Sequence, residues 1–310
     1  MKKRTVYLSE DMDGDCVAFL KNRYNVVDNF DNPSEIEGII SRKIPVTKEI
    51  IESCPNLKIV SDHGTGMDQI DLEECRKAGV KVTNTPGLNA ESVAELVTGF
   101  MISSSFKMKM IDRGLEKGAF ARFGLEELNG NEISGKKVGL VGSGFIAQKL
   151  SAILRNGFGC KIYCWNPRRD EAYLERLGFT KVNTLEELFE KMDFISIHIP
   201  LTDETVNLID EKILKHSNQN LVLINTARGG IVNEKDLYEA LKNHVLKAAC
   251  LDVFEEEPPS KDNPLFTLDN FIGTFHVGGS TEEALKRVGR ETVRNLMEGL
   301  GETYTEDMID

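Results

Sequence analysis

The stretch KKVGLVGSGFIAQKL, residues 136–150, combines a predicted strand, a glycine turn and a predicted helix in one run. Its centre, residues 142–147, follows the pattern G-x-G-x-x-A. Gly142 permits a turn that other residues resist, Gly144 lets the backbone approach a pyrophosphate, and Ala147 lets the helix pack closely against the strand. The pattern predicts a dinucleotide-binding turn, although glycine turns between strands and helices also occur without a ligand.

Length and composition set limits on the remainder of the chain. With 310 residues, the chain is long enough for two domains. Its net charge of −12 argues against nucleic acids and anionic membranes as general partners. The six cysteines show no C-x-x-C or zinc-site spacing, which predicts free thiols and no metal. No signal peptide or membrane-length apolar run is evident, so a cytoplasmic location is expected.

Strands and helices alternate regularly from residue 136 onwards, which predicts a parallel sheet covered on both faces. The first hundred residues indicate a smaller α/β unit. The last predicted helix, residues 281–300, is long enough to return to that unit. We therefore expect one domain to be inserted into the other, with residues 1–98 and 283–310 forming the outer domain and residues 99–282 the inner one.

A long helical pattern, from about residue 89 to residue 117, carries more apolar side chains than one small core needs. They are Leu96, Val97, Phe100, Met101, Phe106, Met108 and Met110. The surplus indicates a second apolar contact for this region, or a single helix that connects the two domains.

Five motifs in a fixed order resemble the D-isomer-specific 2-hydroxyacid dehydrogenases. This family includes glyoxylate/hydroxypyruvate reductases, D-lactate-type dehydrogenases and phosphoglycerate dehydrogenase. The motifs are HGTGMDQID at 63–71, GSGFIA at 142–147, NTARGG at 225–230, LDVFEEEP at 251–258 and FHVGGST at 275–281. The resemblance is weakest at residues 1–35 and 105–130. It implies an α/β fold in which a Rossmann-type doubly wound parallel sheet is inserted into a smaller, flavodoxin-like α/β substrate domain. It also implies a homodimer to which the helical region at residues 89–117 contributes.

Reduction of a 2-keto acid requires a hydride at the carbonyl carbon and a proton at its oxygen. The resemblance implies that His276 supplies the proton and that Glu257, the residue directly before a proline, is its partner. A nearby carboxylate raises the pKa of a histidine and keeps it protonated near neutral pH. The family pattern places Arg228 on the substrate carboxylate, because a guanidinium is planar and permanently charged.

The first domain is expected to contribute to binding of the small 2-keto or 2-hydroxy acid. By resemblance, the backbone N–H groups of Thr65 and Gly66 meet the substrate carboxylate. Asn89 is expected to face the same ligand, and it is equally suited to cap the helix that follows it.

The family resemblance also implies a set of cofactor contacts. Phe145 and Ile146 present backbone N–H groups to the pyrophosphate. Asp252 accepts a hydrogen bond from the nicotinamide carboxamide, or else is a buried structural carboxylate. The remaining predicted contacts follow other strands of the second sheet: His198, Pro200, Thr205, Thr226, Ala227 and Gly278.

The residue that follows the second strand of the inner domain departs from the NAD-using pattern. Asn166 stands where an aspartate usually binds the adenine ribose, and Arg168 and Arg169 follow it. A 2′-phosphate is repelled by aspartate and bound by arginine. The sequence therefore predicts a preference for NADP(H). NAD(H) remains possible if both arginines are solvated residues at a helix start.

Two alternatives share most of these motifs. A phosphoglycerate dehydrogenase-like enzyme is one, but Asp62 replaces its phosphate-binding arginine, and its regulatory C-terminal domain is expected to be absent. A non-catalytic, dinucleotide-sensing corepressor is the other. Phe275 replaces the proline usual before the histidine, and Phe120 replaces a usual tryptophan. The sequence favours a reductase of small, unphosphorylated 2-keto acids.

Overall fold

The chain passes twice through one unit and once through another. The computed structural model describes residues 3–10, 12–42, 44–116, 118 and 126–309, so Phe120 lies outside the described residues. The first unit comprises residues 1–89 and 279–310, and the second comprises residues 90–278. The predicted division at 98/99 would cut a helix that begins at Ala90. The structure keeps that whole helix in the second unit.

The first unit contains a five-stranded parallel sheet in the order β2-β1-β3-β4-β5. This is the flavodoxin-like strand order. Its strands are β1 (Thr5–Leu8), β2 (Asn25–Val27), β3 (Ile36–Ser41), β4 (Ile59–Asp62) and β5 (Lys81–Thr83). The connecting helices are α1 (Gly14–Arg23), α2 (Lys48–Ser53) and α3 (Leu72–Ala78). The sequence defines the ends of α3 clearly, because Asp71 accepts the N–H of Glu74 and Gly79 ends the helix at a φ of +72°.

The second unit contains a seven-stranded parallel sheet in the order β12-β11-β10-β9-β6-β7-β8. The strands are β6 (Lys137–Val141), β7 (Lys161–Trp165), β8 (Thr180–Lys181), β9 (Phe194–Ile197), β10 (Val222–Asn225), β11 (Ala248–Leu251) and β12 (Phe271–Gly273). The helices are α4 (Ala90–Ser105), α5 (Met108–Glu116), α6 (Phe145–Phe158), α7 (Glu171–Arg176), α8 (Leu185–Lys191), α9 (Glu211–Leu214) and α10 (Glu234–Lys242). The strand order reverses between β6 and β9, which is the switch point where doubly wound sheets bind ligands.

The central strands of the second sheet are apolar throughout because both faces are covered. Ile197 and Leu223 pack into one apolar cluster, whereas Leu140 and Ile224 pack into another. Burial on both faces explains why these strands are continuous runs of branched residues. Together the two sheets confirm the predicted α/β class, with a Rossmann-type sheet and a flavodoxin-like unit.

The prediction of one continuous helix over residues 89–117 is wrong. This region consists of two helices, α4 and α5, and Lys107 between them has a φ of +53°. The left-handed conformation of Lys107 ends α4, although neither glycine nor proline marks the break. Val97, Phe100 and Met101 pack inside the core of the second unit. Only part of the predicted apolar surplus is therefore exposed.

After the second unit, the chain returns to the first and forms α11 (Glu282–Gly299). Val293 and Leu296 of α11 pack against Val6 and Ile59 of the first sheet. Short 3₁₀ turns occur at Pro33–Glu35, Glu126–Leu128, Pro264–Thr267 and Glu306–Met308. Within the part of the chain that the structure describes, no helix combines the length and apolar character needed to cross a lipid bilayer.

Candidate active site

Most predicted site residues of the second unit follow the carboxyl ends of its parallel strands. These ends meet at one edge of the sheet, because all strands run in the same direction. The edge carries the segments after β6, β7, β9, β10, β11 and β12. One sheet edge therefore presents residues that lie more than a hundred positions apart in sequence.

His276 and Glu257 form a hydrogen-bonded pair in the second unit. The His276 Nδ1 atom lies 2.7 Å from Glu257 Oε2, and both side chains are partly exposed. Burial alone would raise the pKa of the Glu257 carboxyl. The hydrogen bond and charge of His276, the N–H of Phe254 and the charge of Arg228 outweigh burial and lower that pKa below its ordinary value. The ionised carboxylate can only accept, so Nδ1 carries the hydrogen and Nε2 faces away from Glu257.

Arg228 follows β10 and is half-buried. Its Nη1 atom donates to the carbonyl of Ala227 at 2.7 Å. Asn225, which is buried, donates to the carbonyl of Arg228 at 2.8 Å and accepts the N–H of Ala227 at 3.0 Å. These contacts hold the turn from which the guanidinium projects. Because the charge of Arg228 lowers the pKa of Glu257, the predicted catalytic residues share one electrostatic environment.

Asp252 organises the segment that carries His276. The side chain is 1% exposed, and its carboxylate accepts the N–H groups of Val277 and Gly278, each at 2.8 Å. The Thr274 hydroxyl donates to the same carboxylate at 2.6 Å. Three donors occupy most of the roughly four acceptor positions of a carboxylate. The structural role that the sequence left open for Asp252 is therefore present, and its contact with a carboxamide stays a prediction.

The glycine turn after β6 suits a bound pyrophosphate. Gly142 has a φ of +102°, and a Cβ atom there would lie 2.6 Å from the carbonyl oxygen of His198. A Cβ on Gly144 would instead project into open space in front of α6. Gly144 therefore leaves room beside the N–H groups of Phe145 and Ile146, at a helix N-terminus that favours anions.

Asn166 and the two arginines lie at the end of β7. The Asn166 amide donates to Ser143 Oγ at 2.9 Å, and its oxygen accepts the N–H of Arg168 at 3.0 Å. The Arg168 guanidinium pairs with Glu204 at 2.7 Å. Arg169 stacks 4.5 Å above the ring of Tyr173. Arg168 is thus already paired with a carboxylate 36 positions away, a contact that the sequence pattern does not predict.

The other predicted cofactor residues lie along the same edge. Both ring nitrogens of His198 and the hydroxyl of Thr226 are buried and have no hydrogen-bond partner within the described residues. Burial lowers the pKa of His198 to about 3, which keeps it neutral. The Thr205 hydroxyl donates to the carbonyl of Pro200 at 2.7 Å and so closes its own loop. Unpartnered buried polar groups are unusual in folded proteins. Because these atoms are buried, the cofactor contacts of His198 and Thr226 stay predictions.

Thr65, Gly66 and Asn89 lie in the first unit. The N–H groups of Thr65 and Gly66 donate to no acceptor in the described part of the chain. The Thr65 hydroxyl contacts Asn89 Oδ1 at 3.3 Å, and Asn84 donates to the carbonyl of Thr65 at 2.7 Å. The loop therefore presents two available N–H groups, as an anion site requires.

Asp62 and His63 precede this loop and are both 5% exposed. Ser41 donates to the Asp62 carboxylate at 3.3 Å. Neither ring nitrogen of His63 has a partner among the described residues. Burial first, and then the charge of Arg42, lower the pKa of His63 to about 4. A buried carboxylate and a neutral imidazole therefore adjoin the predicted carboxylate-binding loop.

Across the described ranges, no group of three or more histidine, cysteine, aspartate or glutamate side chains could hold a metal ion. The second unit offers other chemistry. It combines a histidine held by a carboxylate, a nearby guanidinium and an open space at a helix N-terminus. These features fit a nicotinamide dinucleotide together with an acid/base reaction on a carboxylate-bearing ligand.

Comparison with known proteins gives consistent results. The family model for the D-isomer specific 2-hydroxyacid dehydrogenase NAD-binding domain matches residues 98–278. Over 265 residues, the chain is 38% identical to D-3-phosphoglycerate dehydrogenase of Methanocaldococcus jannaschii, covering 86% of this chain but only half of that protein. Over 270 residues, it is 38% identical to hydroxypyruvate reductase of Thermotoga maritima, covering 86% of each chain.

A solved structure extends the similarity to the fold of nearly the whole chain. It is that of the NADPH-dependent glyoxylate/hydroxypyruvate reductase of Sinorhizobium meliloti in complex with NADP and malonate. The two structures match with a TM-score of 0.84 at 26% identity, over 95% of this chain and 93% of the other.

Proposed function

Because the chain belongs to the D-isomer-specific 2-hydroxyacid dehydrogenase family, we propose that it reduces a small 2-keto acid to the D-2-hydroxy acid with NAD(P)H. The observation that carries the proposal is the 2.7 Å contact between His276 and Glu257 in a unit that also holds Arg228. This arrangement provides a proton donor and a cationic group that can bind the substrate carboxylate. The reaction requires both from the protein.

His276 is the acid in the proposed reaction. Glu257 holds Nδ1, so Nε2 is the nitrogen that donates a proton to the carbonyl oxygen. The carboxylate also stabilises the imidazolium before transfer and fixes the orientation of the ring. In the reverse direction, the same nitrogen removes the proton of the hydroxyl group.

Arg228 and the loop at Thr65 and Gly66 are proposed to bind the substrate carboxylate. A guanidinium binds a carboxylate through paired, charge-assisted hydrogen bonds, and backbone N–H groups add further donors. Fixing the carboxylate orients the adjacent carbonyl toward His276. When bound, the nicotinamide cofactor supplies the hydride that attacks the carbonyl carbon.

We propose NADP(H) as the preferred cofactor. Asn166 places no charge where a 2′-phosphate would lie, and Arg168 and Arg169 follow it after a single proline. The pyrophosphate is proposed to lie at the turn of Gly142 and Gly144, on the N–H groups of Phe145 and Ile146. Glu204 competes for Arg168, so the preference depends on how readily the phosphate replaces that carboxylate.

Reduction of a phosphorylated keto acid is the second candidate, and the similarity to phosphoglycerate dehydrogenase favours it. The buried Asp62 argues against it, because a carboxylate beside a phosphate pocket is repulsive. We therefore place glyoxylate or hydroxypyruvate before 3-phosphohydroxypyruvate. A homodimer and a cytoplasmic location complete the proposal, and the six free, buried thiols support the location.

The test is loss of absorbance at 340 nm with NADPH and, separately, NADH. The substrate panel is glyoxylate, hydroxypyruvate, pyruvate and 3-phosphohydroxypyruvate. We expect saturable turnover of a small unphosphorylated acid, and a decrease in kcat of about 10²- to 10⁴-fold in His276→Asn. Fastest turnover of the phosphorylated acid would favour the second candidate. Dinucleotide binding without turnover of any acid would instead indicate a sensing protein of the corepressor type.

A further inference from the structure

The loop after β11 carries Glu257, the partner of His276. One carboxylate oxygen of Glu257, Oε2, contacts His276 Nδ1, and the other, Oε1, accepts the N–H of Phe254 at 3.1 Å. Phe254 is 4% exposed, and its ring packs edge-on against Phe266 with the ring centroids 5.6 Å apart. The chain is exposed over residues 255–258. The position of the Glu257 carboxylate therefore depends on what holds an exposed segment in place.

Glu234 and Glu255 attach this segment to α10. Glu234 is the first residue of the helix, and Glu255 lies 21 positions later in the chain. The Glu255 carboxylate accepts the N–H of Glu234 at 2.9 Å, and the Glu234 carboxylate accepts the N–H of Glu255 at 2.5 Å. Each side chain therefore binds the backbone of the other residue, in a reciprocal arrangement that we call the Glu234–Glu255 pair.

The second oxygen of Glu234 binds the far end of the same loop. Glu234 Oε2 accepts the side-chain amide N–H of Asn263 at 2.7 Å, while Asn263 Oδ1 accepts the N–H of Leu265 at 3.0 Å and caps the 3₁₀ turn there. One carboxylate thus contacts both ends of the segment 255–263, which contains Glu257.

The N-terminus of α10 explains why two carboxylates can lie together at one point of the fold. The first N–H groups of a helix have no partner within it, and the helix dipole is positive at that end. Asn233 accepts the N–H of Asp236 at 3.0 Å, so Glu255 supplies the acceptor for the N–H of Glu234. Leu237 of the same helix is fully buried, so the loop is attached to an element of the core.

We propose that Glu234 and Glu255 are positioning residues that keep the Glu257 carboxylate on His276 Nδ1. Without the Glu234–Glu255 pair, residues 255–257 lose their contact with α10, and the Glu257 carboxylate loses its fixed distance to the imidazole. A displacement of about 1 Å in a catalytic group can lower a rate about a hundredfold. The inference rests on the proposed role of His276 as the acid, whereas the geometry of the pair does not.

The experiment compares three substitutions in steady-state kinetics, with the keto acid that the wild type reduces fastest. Glu255→Ala removes the acceptor for the Glu234 N–H. We expect kcat to fall about tenfold and KM to change less than about twofold, because Arg228 still binds the substrate carboxylate. Glu255→Gln retains an acceptor oxygen and should restore kcat to within about twofold of the wild type. Glu256→Ala removes the neighbouring exposed carboxylate and is the control, with wild-type kinetics expected.

Glu234→Ala tests whether the two carboxylates act as one unit. It should lower kcat at least as much as Glu255→Ala does, since Glu234 also binds Asn263. The double variant should have the kcat of Glu234→Ala, because the effects of residues in one hydrogen-bond network do not add. A decrease equal to the product of the two single effects would overturn the proposal of a reciprocal pair.

Reaction of His276 with diethyl pyrocarbonate tests the geometry without turnover. The reagent modifies the neutral imidazole, and a carboxylate beside a histidine favours the protonated ring. The His276 side chain is 45% exposed and so accessible to the reagent. At pH 6 we expect mass spectrometry to show modification of His276 about threefold faster in Glu255→Ala, and unchanged in Glu255→Gln and Glu256→Ala. His216, whose ring contacts Glu190, is the internal reference.

The two measurements separate this inference from the proposed function. If the wild type reduces no keto acid, the proposed function fails, and the modification rates of His276 still test the pair. Equal modification rates in Glu255→Ala and Glu256→Ala would overturn the proposal. A lower unfolding temperature of Glu255→Ala, with kcat and the modification rate unchanged, would overturn it as well, because the pair would then serve stability alone.

Discussion

The backbone carbonyl of Asp252 accepts the N–H of His276 at 2.6 Å, while its carboxylate holds the two residues that follow His276. His276 has a φ of +55°, a left-handed conformation that a non-glycine residue adopts only with support from its surroundings. Asp252 supplies that support from the end of β11. The position of the proposed acid therefore depends on a residue 24 positions earlier in the chain.

Asp252→Asn is expected to impair the reaction by misplacing His276. The amide replaces one acceptor by a donor, which leaves either the Val277 or the Gly278 N–H facing an N–H₂ group. A buried, unpaired donor destabilises by about 1–3 kcal/mol. We expect kcat to fall about tenfold or more, the unfolding temperature to fall, and the pH dependence of kcat to shift because His276 no longer meets Glu257 at its native geometry. The measurements are steady-state kinetics against pH and thermal unfolding.

Asp262→Asn is the control for this substitution, because Asp262 is exposed in the loop before β12. It should leave kcat, its pH dependence and the unfolding temperature near their wild-type values. If Asp252→Asn lowers the stability but leaves the pH dependence of kcat unchanged, the role of Asp252 is purely structural.

Local features explain which parts of the fold could be predicted from sequence. Gly142 could be predicted because its backbone needs a φ of +102°, and Gly144 because it leaves room in front of a helix N-terminus. Strands such as β6 and β10 could be predicted because they are buried on both faces and appear as apolar runs. The contacts of Asp252 could not be predicted, because they require β11 and the turn after β12 to be neighbours. The break at Lys107 was also missed, since a left-handed lysine leaves no mark in the sequence pattern.

The pKa of His63 predicts a dependence of stability on pH. The folded protein holds this pKa at about 4, against 6.5 for an ordinary histidine, so the neutral form is favoured by folding. The contribution of His63 is fully present above pH 6.5 and is lost as the pH falls toward 4. The difference between a pKa of 6.5 and one of about 4 corresponds to about 3 kcal/mol of folding stability. We expect the unfolding temperature of the wild type to fall across this range.

His63→Gln should remove part of that decline, which thermal unfolding between pH 7 and pH 4 measures. His216→Gln is the matched control, since His216 lies in the second unit and its ring contacts Glu190 at 3.1 Å. Equal pH dependence in His63→Gln and the wild type would contradict the burial of a neutral His63.

Three exposed apolar residues support the proposed homodimer. Phe106, Met108 and Leu115 are 50%, 48% and 64% exposed, and all three belong to the α4–α5 segment. Light scattering of the wild type should give twice the chain mass of 34.7 kDa. Leu115→Glu should lower the mass toward the monomer, because a charge in an apolar interface is costly. Leu72→Glu, which alters an exposed leucine of α3, should leave the dimer intact; a monomeric wild type would refute the proposal.

The ion pair between Arg168 and Glu204 predicts how cofactor preference can be changed. The Glu204 carboxylate lies 2.7 Å from the Arg168 guanidinium, the group that a 2′-phosphate would bind. An exposed ion pair contributes at most about 1 kcal/mol, so Glu204→Gln should tighten NADPH binding about two- to fivefold. NADH binding should change little, because NADH carries no 2′-phosphate. Fluorescence titration with both dinucleotides measures the effect, and the gain should shrink at high salt.

Arg168→Ala should act in the opposite direction and weaken NADPH binding about tenfold, since a charge-assisted bond to the phosphate is lost. Asp203→Asn removes the neighbouring exposed charge from the same loop and is the control for a general electrostatic effect. If Glu204→Gln and Asp203→Asn strengthen NADPH binding equally, the specific pairing with Arg168 has no role. If Arg168→Ala weakens NADH and NADPH alike, Arg168 does not contact the 2′-phosphate, and the preference proposed from Asn166 is wrong.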